Sequence, residues 1–145
     1  MAALRIAIVA GEASGDLLGC HLVQALRARL PDAEFMGIAG PKMIGAGVKS
    51  IFPLERLSVR GYVEALRSLP GLLMLRRQLK HRLAAWRPAL FIGIDAPDFN
   101  LGLERYLRGQ HIPTVHFASP SIWAWRGKRI HKIKRAVAHM LVLFP

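Results

Sequence analysis

Short apolar runs that stop at a turn, alternating with longer stretches of helical periodicity, constrain the fold of this chain more than any other feature. Arg5–Ala10 runs into Gly11, Glu34–Ile38 into the turn Ala39-Gly40-Pro41-Lys42, and Ala89–Ile94 stops at Asp95. Val48–Phe52, Thr114–Phe117 and Met140–Phe144 are further runs of the same kind. Apolar runs without inside–outside alternation mark strands buried on both faces, which is how parallel sheets are built.

Helical spacing fills the intervals. In Leu17–Leu30, Leu18, Leu22, Ala25 and Leu26 share one face, and Arg27 and Arg29 stand near the carboxyl end, where the macrodipole favours cations. Tyr62–Trp86 is helical but carries Pro70-Gly71, and proline suits a first turn rather than a helix interior, so two helices or a kink are expected. Its second part has a core stripe of Leu72, Leu75, Leu79, Leu83 and Trp86. Leu101–Leu107 reads as a short helix, and Lys128–Val137 as another with Ile130, Ile133 and Val137 inward. The alternation predicts an α/β fold: an open parallel sheet with helices on both faces. No repeat, low-complexity segment or linker divides residues 1–145, so one domain is expected. The chain stops inside an apolar strand signal, as a truncated chain would.

Composition narrows the class. A chain of 145 residues is large enough for one core. Hydrophobic residues make up 52% and mean hydropathy is +0.28, yet Arg, Lys or His interrupts each apolar segment before the roughly 18–20 residues that a span needs. The start, MAALRIAIVAGEASGD, has no basic n-region and leads into a glycine-bearing turn, so it reads as a first strand rather than a signal peptide. Cys20 is the single cysteine, which excludes an internal disulfide and a multi-cysteine metal site, and it reads as a small core residue in a reducing compartment. The net charge of +12 and pI near 11.3 call for an anionic partner: nucleic acid, phospholipid headgroups or a phosphorylated substrate.

Ligands of open parallel sheets bind beyond the carboxyl ends of the strands, so the loops that follow strands carry the chemistry. In Gly11-Glu12-Ala13-Ser14-Gly15-Asp16 the glycines allow a tight turn, and the amides at the next helix start favour anions. Gly11, Glu12, Ser14, Gly15 and Asp16 are therefore candidate substrate contacts. Ala13 occupies the second glycine position of a dinucleotide fingerprint, and no Gly-Lys-Ser/Thr follows, so neither a dinucleotide loop nor a P-loop is matched. The competing reading makes Ser14 or Asp16 a cap of the first helix.

In Gly93-Ile94-Asp95-Ala96-Pro97-Asp98-Phe99-Asn100, two carboxylates and an amide leave the end of a buried strand. Asp95 directly follows the apolar run, where partial burial suits a carboxylate to general-base work. Asp98 and Asn100 are candidate supporting groups, and either also fits as a helix cap; in the plainest reading all three only cap. The third loop runs from Ser119 through Ser121, Trp123, Trp125 and Arg126 to Lys128 and Arg129. Tryptophan faces stack on sugars or acyl chains, and Arg and Lys bind phosphate. Lys128, Arg129, Lys132 and Arg135 share a helical face, for which a solvated surface is the ordinary meaning.

The segments AGEASGD, GIAGPKM, GIDAPDFN and SPSIWAWRGKRIHKI closely resemble, in order and spacing, the amino-terminal motifs of the lipid-A-disaccharide synthases, inverting transferases of glycosyltransferase family 19. SVRGYVEAL is similar to a further family stretch, and the resemblance spans about Arg5 to Phe144. It implies the N-terminal, Rossmann-like domain of a GT-B glycosyltransferase, whose two domains face each other across a cleft. The implied reaction transfers 2,3-diacylglucosamine from its UDP conjugate to the 6-hydroxyl of 2,3-diacylglucosamine 1-phosphate (lipid X). Its products are the β-1,6 lipid A disaccharide 1-phosphate and UDP, in lipid A biosynthesis of Gram-negative bacteria. The aspartate matching Asp95 is the implied general base. No metal or other cofactor is implied, in keeping with a D-x-x-D spacing across a proline rather than D-x-D.

The resemblance also implies a cytoplasmic enzyme held peripherally on the inner membrane, because both substrates carry acyl chains and phosphates. Leu73 and Met74 lie outside the core stripe with Arg76, Arg77 and Lys80 close by, as suits a helix in an anionic headgroup layer. A core helix with a wet basic face is the alternative. Family members run to well over twice this length, and their C-terminal UDP-sugar-binding domain is absent from this chain, which alone is expected to lack turnover. Arg60 and Pro70 depart from the family pattern. Another GT-B transferase of a lipid- or nucleotide-linked sugar remains open, as does a basic nucleic-acid-binding domain. The latter leaves Asp95 and Asp98 without a role, so nucleic acid is not the expected partner.

Overall fold

The computed structural model describes residues 4–54, 62–94, 97–118 and 139–142. Strands β1 (Arg5–Ala10), β2 (Glu34–Ala39), β3 (Val48–Pro53), β4 (Leu90–Ile94), β5 (Thr114–Ala118) and β6 (His139–Val142) alternate with helices α1 (Ala13–Arg29), α2 (Pro41–Gly45), α3 (Tyr62–Trp86) and α4 (Pro97–Gly109). All strand pairs are parallel, in the order β3-β2-β1-β4-β5-β6. Ile6 to Ala10 of β1 are buried, as the unbroken apolar run requires of a central strand.

The chain order reverses between β1 and β4. From β1 the sheet grows through β2 to β3; α3 then carries the chain back across to β4, and β5 follows outward. With right-handed crossovers, this reversal puts α1 and α2 on one face and α3 and α4 on the other. The expected fold class is therefore the observed one, a Rossmann-like open parallel sheet.

Several boundaries differ from the sequence expectation. Helix α1 begins at Ala13, not Leu17, so Ser14, Gly15 and Asp16 belong to its first turn. Its buried residues are Gly15, Asp16, Gly19 and Val23, whereas Ala25 is exposed; small residues let the helix lie close to the sheet. A Cβ at Gly19 would stand 2.6 Å from the sulfur of Met43 and 2.9 Å from Ile94 Cδ1. The turn expected at Ala39-Gly40-Pro41-Lys42 instead starts the short helix α2, with Pro41 in its first turn.

Helix α3 runs unbroken through Pro70 rather than splitting there. Pro70 and Gly71 are exposed, while Leu75, Leu79 and Leu83 are fully buried on the inner face. Packing along that stripe outweighs the one backbone hydrogen bond that proline removes. Helix α4 starts at Pro97, four residues before the expected Leu101, which puts Asn100 inside the helix. The last strand is observed over His139–Val142. The expected helix Lys128–Val137 lies outside the described residues.

Candidate functional site at the β1–β4 switch

The reversal between β1 and β4 is where an open α/β sheet offers a crevice, because the loops after the two strands turn to opposite faces. Ala10 and Ile94 are register partners at the last rung of this pair. In the sequence Gly11 follows Ala10 and Asp95 follows Ile94.

On the β1 side, Gly11 is buried, while the side chains of Glu12 and Ser14 are exposed at the start of α1. Glu12 is the N-cap residue, extended at φ −159°, with no side-chain capping hydrogen bond. Neither Ser14 nor Asp16 caps α1, so that reading is corrected. Gly15 packs against the sheet, with the position of its absent Cβ 3.4 Å from Ala10 Cβ and from Ile94 Cγ2.

Asp16 turns inward, with 3% of its surface exposed. Its Oδ1 accepts hydrogen bonds from the amides of Gly40 (3.1 Å) and Met43 (2.9 Å), and its Oδ2 accepts one from Lys42 (3.0 Å). Three backbone donors at the start of α2 satisfy this carboxylate, which leaves it as the cap of α2 rather than a ligand contact. Gly40 is required there, because a Cβ would collide with the Asp16 carboxylate. Two of the sequence motifs, AGEASGD and GIAGPKM, are thus halves of one structural unit.

On the β4 side, the backbone places Asp98 in the first turn of α4, and Asn100 is buried within the helix. Asn100 does not cap; its Nδ2 donates two long hydrogen bonds, each 3.4 Å, to the carbonyls of Val9 and Ile94. Those carbonyls close β1 and β4 just before the two candidate loops. One turn along α4, Glu104 is fully buried and lies 2.8 Å from His116 Nδ1 on β5, itself fully buried. Burial pushes the Glu104 carboxyl above its ordinary value, against the opposing pull of His116.

The sequence reading missed both residues of this pair. The available signal was weak: Glu104 repeats Asn100 at four residues and precedes Leu107 by three, on the face that Leu103 also occupies. Asp95, the side chain of Asp98, and Ser119, Ser121, Trp123, Trp125, Arg126, Lys128 and Arg129 lie outside what the structure describes.

Two cavities open against β2 and β3. One of about 690 Å³ sits at the carboxyl ends of β2 and β3, walled by Pro41, Ile44, Ile51, Phe52 and Leu54. A second, about 790 Å³, lies at the amino-terminal ends of β2 and β3, among Arg27, Glu34, Lys49, Arg82 and Trp86. It is remote from the candidate loops.

The outward surface of α3 divides the five residues assigned to membrane contact. Leu73 and Met74 are 50% and 61% exposed, and Arg77 is exposed as well. Arg76 and Lys80 instead lean toward α4: the Arg76 guanidinium comes 2.7 Å from the position a Cβ would take at Gly102, and Lys80 Nζ is 5.2 Å from the Tyr106 ring centroid. Desolvation, with Arg76 beside it, lowers the pKa of Lys80. Among the described residues, no helix is long and apolar enough to cross a membrane, and no three His, Cys, Asp or Glu side chains gather to hold a metal.

The fold matches part of a UDP-bound ugt transferase from Siraitia grosvenorii at a TM-score of 0.54, with 12% identity, over 80% of this chain and 28% of that one. In sequence, the chain is 64% identical over 140 residues to the lipid-A-disaccharide synthase of Methylobacillus flagellatus. It is 60% identical over 143 residues to that of Chromobacterium violaceum and 59% identical over 143 residues to that of Paraburkholderia phytofirmans. These alignments cover 97%, 99% and 98% of this chain and 37% of each relative. A family model described as lipid-A-disaccharide synthetase matches residues 6–145, and the chain belongs to that family.

Proposed function

We propose that this chain is the acceptor-side, N-terminal part of a GT-B lipid-A-disaccharide synthase, working peripherally at the cytoplasmic face of an inner membrane. The observation that carries the reading is the register pair Ala10–Ile94 at the switch point, the residues that the Gly11 loop and Asp95 follow in the sequence. Membership in the family supports a disaccharide-forming glycosyl transfer. Asp95 takes the proton from the 6-hydroxyl of lipid X, and the freed oxygen attacks the anomeric carbon of the donor sugar in line. The bond to UDP breaks on the opposite side, so an α-linked donor gives a β-1,6 product.

Exposed Glu12 and Ser14, at the start of α1, suit contacts to acceptor hydroxyls. The buried cap role of Asp16 removes it from that set. Asp98, Asn100, Ser119, Ser121, Trp123, Trp125, Arg126, Lys128 and Arg129 keep their assignment as supporting or substrate-binding groups, Asn100 by way of the strand ends. The apolar cavity beside α2 has the chemistry to take an acyl chain. Leu73, Met74 and Arg77 suit a membrane surface, with the aliphatic and thioether groups in the acyl boundary and the cation among phosphates. The C-terminal domain of the full-length enzyme brings UDP-2,3-diacylglucosamine to the cleft.

The test is direct. Full-length enzyme carrying this segment, supplied with UDP-2,3-diacylglucosamine and lipid X, should release UDP and a disaccharide 1-phosphate. Turnover with other nucleotide sugars but not with this pair would overturn the substrate assignment.

A further inference from the structure

Helix α4 presents two polar side chains to the sheet, one turn apart, where apolar residues would ordinarily pack. Asn100 reaches the carbonyls of Val9 and Ile94, and Glu104 reaches His116 on β5. Gly93 and His116 are register partners, so the Glu104 carboxylate lies over the β4–β5 pair two residues before Asp95. Gly93 is what admits it, because a Cβ there would overlap Glu104 Oε1 and stand 3.2 Å from Asn100 Cβ. Three strands are thereby tied to one helix: β1 at Val9 and β4 at Ile94, near their carboxyl ends, and β5 at His116, its middle residue.

Stability alone accounts poorly for such a pair. Both side chains are fully buried, and Glu104 Oε2 and His116 Nε2 have no hydrogen-bond partner among the described residues. Desolvating ionisable groups in this way typically costs as much as their attraction returns, and apolar residues of similar volume do as well or better. Among the described residues, the charge that shifts the Glu104 pKa comes from His116 alone. Strands β1 and β4 carry no charge near it; Arg76 and Lys80 of α3 lie against Gly102 and Tyr106; and β6 places His139 opposite Val115 in register. Asp98 is on α4 itself, and Asp95 follows β4.

We propose that Glu104 and His116 are positioning residues for the transfer reaction: with Asn100 they fasten α4 to β1, β4 and β5, the last two being the strands that Asp95 and Ser119 follow in the sequence. The clamp rests on the reading of Asp95 as the base, and a displacement of about 1 Å at a reacting group can cost on the order of 100-fold in rate.

Two measurements test it separately. In the full-length enzyme, Glu104→Ala should lower kcat at least 10-fold with both KM values within about two-fold, and Glu104→Gln, which keeps the hydrogen bond, should recover most of the loss. The double variant Glu104→Met with His116→Leu replaces the pair by apolar groups and keeps the fold; it should still lose kcat. Normal kcat in that folded double variant would overturn the proposal. In the 145-residue chain, independent of any activity, amide exchange at residues 94–96 and 117–119 should accelerate at least 10-fold in the double variant, while Phe35–Ile38 of β2 stays unchanged. Uniform acceleration across the sheet, or none, would overturn the clamp. Inactivity of the unsubstituted enzyme would count against the functional reading, and the exchange data would still decide the clamp.

Discussion

Asp16 Oδ1 lies 2.9 Å from the amide nitrogen of Met43, so a residue in the first turn of α1 caps the start of α2. With the bonds to Gly40 and Lys42, a single carboxylate satisfies three amides that a short helix could not pair internally. Asp16→Ala should destabilise the domain by about 2–4 kcal/mol, and Asp16→Asn by about 1–2, since the amide side chain retains part of the acceptor capacity. Urea unfolding would show this as a lower midpoint at constant slope. An unchanged midpoint for Asp16→Ala would return Asp16 to the list of ligand contacts.

Gly93→Ala adds one methyl where Glu104 Oε1 already sits. Overpacking of this kind costs about 1–3 kcal/mol. The same substitution at Gly71, where a Cβ would meet nothing within 4 Å, should be neutral or stabilising in the helix interior. Thermal unfolding of the two variants side by side checks the contrast.

The pH dependence of stability carries the signature of Glu104. Its folded pKa is raised by burial above the 4.5 of the free group, so between those two values the folded state holds a proton that the unfolded state has released. Its contribution is complete below pH 4.5 and is lost as pH rises through the folded value. Glu104→Gln removes that loss. Urea midpoints above pH 4.5 should therefore fall less with pH in the variant than in the unsubstituted chain, and parallel slopes would contradict the assignment.

The surface of α3 separates packing from membrane contact. Leu73→Ser with Met74→Ser should release the chain from anionic liposomes while leaving unfolding nearly unchanged, because both side chains are at least half exposed. Leu79→Ala should do the opposite, costing about 2–5 kcal/mol from a fully buried site. Arg77→Ala should weaken liposome binding more than Lys80→Ala, since Lys80 is engaged with Tyr106. Capture by single-stranded DNA in preference to liposomes would favour the nucleic-acid alternative.

Much of this was legible in the residues. The unbroken apolar runs 5–10, 34–38 and 89–94 announced central parallel strands, because a strand buried on both faces has no polar side to show. Helix starts were less legible: α1 and α4 both begin four residues early, in turns rich in Gly, Ser and Asp that read equally well as loops. Pro70 argued for a break that tertiary packing overrode. The roles of Asp16 and Glu104 were hidden for one reason: their partners, Gly40, Met43 and His116, are distant or unremarkable in sequence, and only the fold brings them together.

The central claim is that Asp95, which follows the last residue of β4 in the sequence, is the general base. In the full-length enzyme, Asp95→Asn should reduce kcat by about 10²- to 10⁴-fold, with KM for lipid X little changed and with unfolding and liposome binding as in the unsubstituted protein. Transfer by a folded Asp95→Asn variant at near-normal kcat would contradict it.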